Sequence, residues 1–165
     1  MIKYVPEDTS VVFSEIPDEV TLAFNISNCR NRCKGCHTPY LQTDTGEELT
    51  ECVVDELIAK NAGITCVCFM GEGNDEEALY RMAKHIKAKH SGLKLGIYSG
   101  RDDVERWYGE TFDYIKLGRY DETMGAINKV GTNQRLYKRT FNPNDITKIG
   151  EGWQNITSKM QKANL

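Results

Sequence analysis

Large apolar side chains recur at every second position through Val20, Leu22, Phe24 and Ile26, with Thr21, Ala23 and Asn25 between them. This period of two predicts a strand. Ahead of it, Tyr4 and residues 11–13 read as short edge strands, and directly after it the pattern breaks into a polar, cysteine-bearing loop. Thr50 then opens a helical stretch with Val53, Val54, Leu57 and Ile58 on one face, stopped near Gly63. Residues 64–69 are apolar on both faces, as a buried parallel strand should be. Asn74 followed by Glu77 predicts a capping box, and Leu79, Met82, Ala83 and Ile86 keep the spacing of an amphipathic helix. Residues 93–98 predict the next strand. Asp102 or Asp103 is expected to cap a short helix that carries Val104, Trp107 and Tyr108, with Gly109 as its stop. Residues 112–117 predict a fourth strand. From Gly118 onward the pattern weakens, leaving a strand at 136–138 and a helix at 152–160 as the remaining expectations.

Strands alternating with helices predict right-handed crossovers, an α/β fold with a mainly parallel sheet, and ligands at the carboxyl ends of the strands. Four or five such units are too few to close an eight-stranded barrel. With 165 residues and neither repeat nor linker, the chain reads as a single domain spanning 1–165, irregular from about residue 118. A net charge of -3 lacks the basic excess that nucleic-acid binding relies on. No run of about 18 apolar residues predicts a membrane span. Residues 1–7 carry charge and a proline where a signal peptide would have an apolar stretch, so a reducing cytoplasm is expected. In that setting six cysteines point to metal or catalysis more than to disulfides.

Cys29, Cys33 and Cys36 form a C-x3-C-x2-C loop just past the first strand, within a segment spanning about residues 27–45. A loop this tight can wrap three thiolates around one cubic iron-sulfur cluster, whose electron-transfer versions normally use four cysteines. Three leave one iron open to a substrate, by the logic that leaves an open position on a catalytic zinc. Gly35 suits backbone that passes close to a ligand. Two other readings stand beside this one. Zinc could be completed by His37, Cys52 or a strand cysteine, and a four-cysteine electron carrier could recruit Cys66 or Cys68. Cys52, Cys66 and Cys68 otherwise read as small buried hydrophobes. Arg30, Arg32 and Lys34 would steer an acidic electron donor, offset cluster charge, or simply solvate the loop. His85 and His90 read as surface residues, and Trp107 and Tyr108 as core.

The loop and its place after the first strand resemble the radical S-adenosylmethionine (SAM) enzymes. More narrowly, the chain is similar to the glycyl-radical activases of anaerobic ribonucleoside-triphosphate reductase. Gly71-Glu72 stands where that family carries Gly-Gly-Glu, with Met70 in place of the first glycine and Gly73 where many members have proline. Tyr98-Ser99-Gly100 and Gly131-Thr132-Asn133-Gln134-Arg135 resemble two further subfamily segments, so the likeness runs from about Val20 to Tyr137. It implies an incomplete (β/α) barrel of radical SAM type. It also implies that Cys29, Cys33 and Cys36 hold a 4Fe-4S cluster and that SAM chelates the open iron beside Cys36. Gly35 and His37 would then lie against the adenine, with His37 replacing the usual aromatic residue. Gly71 and Glu72 would receive the methionyl ammonium, and Ser99 would make a further contact. The implied partners are the large reductase subunit, on which a glycyl radical is generated, and a flavodoxin- or ferredoxin-type donor. Activators of pyruvate formate-lyase and deazaguanine-forming enzymes share the loop, but are usually longer and lack the Asn133-Gln134-Arg135 signature. No role is assigned after Thr140.

Overall fold

The computed structural model describes residues 1–162. In chain order its strands are β1 (Lys3–Tyr4), β2 (Ser10–Val12), β3 (Thr21–Asn25), β4 (Glu47–Glu48), β5 (Cys66–Met70), β6 (Lys94–Tyr98), β7 (Tyr114–Leu117), β8 (Arg135–Arg139), β9 (Ile146–Thr147), β10 (Gly150–Glu151) and β11 (Trp153–Asn155). Its helices are α1 (Glu51–Lys60), α2 (Glu76–Lys89), α3 (Arg106–Thr111) and α4 (Thr157–Lys162). Seven strands make one sheet in the order β11-β8-β7-β6-β5-β3-β2. The middle four are parallel, while β2, β8 and β11 each run antiparallel to their inner neighbour. The fold is therefore α/β with a mixed sheet that does not close.

Side chains alternate across the sheet and divide the core in two. On one face Leu22, Phe24, Val67, Phe69, Leu95, Ile97, Ile115 and Leu117 pack against Val54 of α1, Leu79, Met82, Ala83 and Ile86 of α2, and Tyr108 and Phe112. On the other face Cys66, Cys68, Tyr114 and Leu136 meet Ile16, Ile127, Ile156 and Met160, with Met70 and Tyr98 partly buried beside them. The second cluster is smaller, and it leaves the upper part of this face open as a cleft. Gly96 keeps the second cluster tight, since a Cβ there would lie 3.1 Å from the Cys68 sulfur and 3.3 Å from Ile16.

Three boundaries differ from the sequence expectation. Asp75, not Asn74, caps α2, accepting from the Ala78 amide at 3.0 Å. The Asn74 carbonyl is taken instead by the Arg30 guanidinium, which holds that residue in the preceding loop. The Asp103 carboxylate bonds the Val104 amide and so forms a turn before α3, which begins at Arg106 without a side-chain cap and runs through Gly109 to Thr111. The expected helix at 152–160 is first a strand: β11 pairs with β8, and α4 starts only at Thr157, whose amide and hydroxyl donate to Asn155. Gly152, at φ 77, sits in the turn that leads into β11, in a region that helical backbone does not visit. Thr50 caps α1 through the Val53 amide as its sequence predicts. Among the described residues, no helix is long and apolar enough to cross a membrane.

Candidate metal and cofactor site

The cysteine loop leaves the carboxyl end of β3 and is closed at its base by backbone bonds from Asn28 to Thr43 (3.1 Å) and from Cys29 to Leu41 (2.9 Å). The buried Ser27 hydroxyl adds a bond to the Thr45 carbonyl at 2.6 Å. Within this closed base the chain must reverse sharply, and it does so at three left-handed residues, Asn28 (φ 60), Arg32 (φ 44) and Gly35 (φ 71). Gly35 also lacks room for a side chain, since a Cβ would fall 2.7 Å from the Glu122 carboxylate. Cys36 returns an amide bond to the Cys33 carbonyl at 3.3 Å, which Gln42 also reaches at 3.3 Å. The result is three half-buried, unbridged thiols on one turn-rich loop.

The spacing of those thiols bears on which metal they suit. A single tetrahedral zinc would hold its sulfurs about 3.8 Å apart, given Zn–S bonds near 2.3 Å. Among the described residues, the one set of three or more His, Cys, Asp or Glu ligand atoms within 4.8 Å of one another is Asp55, His85 and His90. The three loop thiols are not all within that distance of one another.

Cys36, His37 and Thr38 form one wall of a cleft of about 910 Å³ on the smaller face of the sheet, also lined by Met70, Tyr98 and Lys116. Lys116 was not expected from the sequence. It is buried in β7, where its ammonium donates to the carbonyls of Gly118 (2.7 Å) and Ser99 (3.3 Å). Burial lowers this ammonium, the negative charges of Cys33, Glu72, Cys29 and Cys36 oppose that only in part, and it stays pushed down to about 8. This buried cation and Cys36 line the same cleft.

Glu72 follows Gly71 at the carboxyl end of β5. Its Oε1 accepts from Arg101 Nε (3.1 Å), Arg101 Nη2 (3.0 Å) and the Tyr108 hydroxyl (2.6 Å). Among the described residues Oε2 accepts no hydrogen bond. Glu72 opens on a smaller cavity of about 170 Å³ lined also by Arg30 and Asn31, which shares no lining residue with the main cleft. Gly71, at φ 124, passes under the Ile26 carbonyl, 3.2 Å from where a Cβ would stand, so the two strand ends touch through backbone. Ser99 is buried at the end of β6, and its hydroxyl accepts from the Arg101 amide at 3.0 Å, which fixes the arginine that holds Glu72. The exposed His37 stands edge-on to Tyr120, with ring centres 4.5 Å apart.

The Thr132-Asn133-Gln134-Arg135 segment braces the loop that follows β7. Asn133 and Gln134 donate to the carbonyls of Arg119 (2.9 Å) and Gly118 (3.4 Å), and Thr132 donates to Gly125 at 3.0 Å. That loop in turn leans on the cysteine loop: Arg119 bonds the Asn31 carbonyl at 3.1 Å and Glu122 pairs with Lys34 at 3.3 Å. Arg30 and Lys34 are thus partly spent on intramolecular contacts.

The remaining cysteines divide. Cys66 and Cys68 are fully buried, and burial pushes the Cys66 thiol up to about 12 and Cys68 well above the usual thiol range. Both are packing groups. Cys52, expected to be buried, is exposed on α1. His85 and His90 are not free surface residues either: both rings meet the Asp55 carboxylate. No protein-family model, curated protein or solved structure matches the chain. Its residues and their geometry carry the functional reading.

Proposed function

We propose that the chain is a radical SAM activase that generates a glycyl radical on anaerobic ribonucleotide reductase, using a 4Fe-4S cluster held by Cys29, Cys33 and Cys36. The observation that carries this reading is the three-thiol loop at the carboxyl end of the first parallel strand, opening on a cleft with a buried cation in its wall. Cys29, Cys33 and Cys36 would hold the cluster, which, once reduced by a flavodoxin- or ferredoxin-type donor, would supply the one electron for cleaving SAM to methionine and the 5'-deoxyadenosyl radical that would abstract the glycine hydrogen.

The protein's part is to hold and orient. Lys116 has three ammonium protons and makes two hydrogen bonds to carbonyls among the described residues, leaving one for the methionyl carboxylate. Glu72 has its Oε1 fixed by Arg101 and Tyr108 and its Oε2 available to the methionyl ammonium. Glu72 lines the smaller cavity and Lys116 the main cleft, so this reading requires the methionyl end of SAM to bridge the two; charge-assisted bonds of this kind are the stronger ones. His37, propped by Tyr120, offers a ring for the adenine. The positive charge of Lys116 also offsets the accumulated negative charge of thiolates and cluster. A four-cysteine electron carrier fits less well, because Cys66 and Cys68 lie buried in packing.

The unclosed sheet leaves the cleft accessible from the side, as a macromolecular substrate requires. The reconstituted protein mixed with SAM, a reductant and the large reductase subunit should give the electron-paramagnetic-resonance doublet of a glycyl radical. SAM cleavage without that doublet would refute the activase assignment and leave another short radical SAM enzyme, such as a pyruvate formate-lyase type activase.

A further inference from the structure

Glu51 and Asp55 stand one turn apart on α1 and face His85 near the end of α2 and His90 at its C-terminal cap. Asp55 Oδ1 lies 2.9 Å from His85 Nε2 and 2.6 Å from His90 Nε2, and Asp55 Oδ2 accepts from Lys89 at 2.7 Å. His85 Nδ1 is 3.3 Å from the Glu51 carboxylate. His85 therefore has a carboxylate at each ring nitrogen. An uncharged imidazole carries a single N–H, so if it donates to Glu51 it turns a lone pair toward the lone pairs of Asp55. A cation at the meeting point of the two Nε2 atoms and Oδ1 removes that conflict.

We propose that Asp55, His85 and His90 bind a zinc ion, with Glu51 as the outer carboxylate that fixes the His85 tautomer. Two imidazoles and a carboxylate are a donor set suited to a borderline divalent metal. The carboxylate on the far nitrogen of a ligand histidine is the usual orienting partner. Asp55 is ready as an anion. The Lys89 ammonium, 2.7 Å from Oδ2, favours the ionised carboxylate. Ligands around zinc at about 2.0–2.1 Å sit roughly 3.3 Å apart, so entry of the ion would lengthen the 2.9 and 2.6 Å contacts of Asp55 Oδ1 by about half an ångström. The Asp55, His85 and His90 side chains are 20%, 16% and 18% exposed, enough for an ion to enter from solvent and for the fourth position to take water. None of them lines the main cleft. The site would clamp α1 to α2 on the helix-covered face, separately from the cysteine loop.

Cobalt(II) titrated into the full chain separates the two sites, because thiolate ligands give an intense near-ultraviolet charge-transfer band and this donor set does not. The Cys29, Cys33, Cys36→Ser triple variant should bind one equivalent with weak d–d bands alone, and zinc should displace it. His85→Gln, His90→Gln and Asp55→Asn should each abolish that equivalent. Glu51→Gln should keep the stoichiometry and weaken zinc about 10- to 100-fold. Zinc should also raise the melting temperature of the wild-type chain but not of His90→Gln. A triple variant that binds no metal, histidine variants that keep the full stoichiometry, or equal zinc-induced melting shifts in both chains would each overturn the proposal.

Discussion

Lys116 changes the picture of the site more than any other residue. A charged side chain inside Tyr114–Leu117 tolerates burial because two strand-end carbonyls accept its protons. Lys116→Met should keep the loop cysteines and their cluster but raise the SAM KM about 10- to 100-fold, the value of a charged hydrogen bond. A KM unchanged in steady-state assays would remove Lys116 from the binding role. Cys36→Ala should lose both the iron count and SAM cleavage, whereas Cys66→Ala should keep its iron, since Cys66 is a buried apolar neighbour. Iron analysis after reconstitution checks both, and loss of iron in Cys66→Ala would mean that a fourth ligand exists. Cys29, Cys33 and Cys36 could be singled out from spacing alone, because close ligands in one loop leave a local signature. Lys116 and the Asp55-His85-His90 group left none. A lysine in a strand reads as an edge or solvent position, and residues 30 and 35 positions from Asp55 meet only through helix packing.

At the scale of elements, β3, β5, β6 and β7 were legible because their apolar runs have few competing conformations. The caps of α2 and α3 were not, because adjacent polar residues offer nearly equivalent caps and tertiary contacts choose between them. Asn74 is drawn away by Arg30, and Asp103 is used in the turn before α3. β11 was missed because its strand character comes from pairing with β8, which no local period reports. The amino-terminal end of the sheet is tied by Glu19, a buried carboxylate that accepts from Thr65 (2.6 Å), Tyr114 (2.6 Å) and Lys94. Burial raises the Glu19 carboxyl, but the bonds from Lys94, Thr65 and Tyr114 bring it below its ordinary value. Its folded-state value thus lies below its unfolded value, near 4.3. The stability it contributes is fully present above that unfolded value and is lost as pH falls through the folded one. Glu19→Gln should cost about 1–3 kcal/mol at neutral pH and show a shallower acid limb. Urea unfolding across the acid range checks both, and parallel limbs for the two proteins would contradict the assignment. Arg101→Ala, which leaves Glu72 Oε1 with the Tyr108 hydroxyl as its one donor among the described residues, should lower the melting temperature and raise the SAM KM together. A melting shift alone would mean that Glu72 only supports the fold.

For the whole molecule, the division of labour between the two faces of the sheet is the central feature. Helices cover one face completely, and the other carries a small core below a wide cleft whose wall includes the third cysteine of the loop. The loop after β7, braced by Asn133 and Gln134, joins the cysteine loop to the far side of the cleft through Arg119 and Glu122. This architecture sets a cleft of about 910 Å³ beside the loop that carries three half-buried thiols, and the central claim is that those thiols leave one iron free for SAM. The most direct test is anaerobic reconstitution with iron and sulfide, reduction, and assay for 5'-deoxyadenosine after adding SAM. The account predicts a brown protein with about four irons per chain that releases 5'-deoxyadenosine and methionine. A colourless protein holding zinc in the cysteine loop, or a brown one that leaves SAM intact, would contradict it.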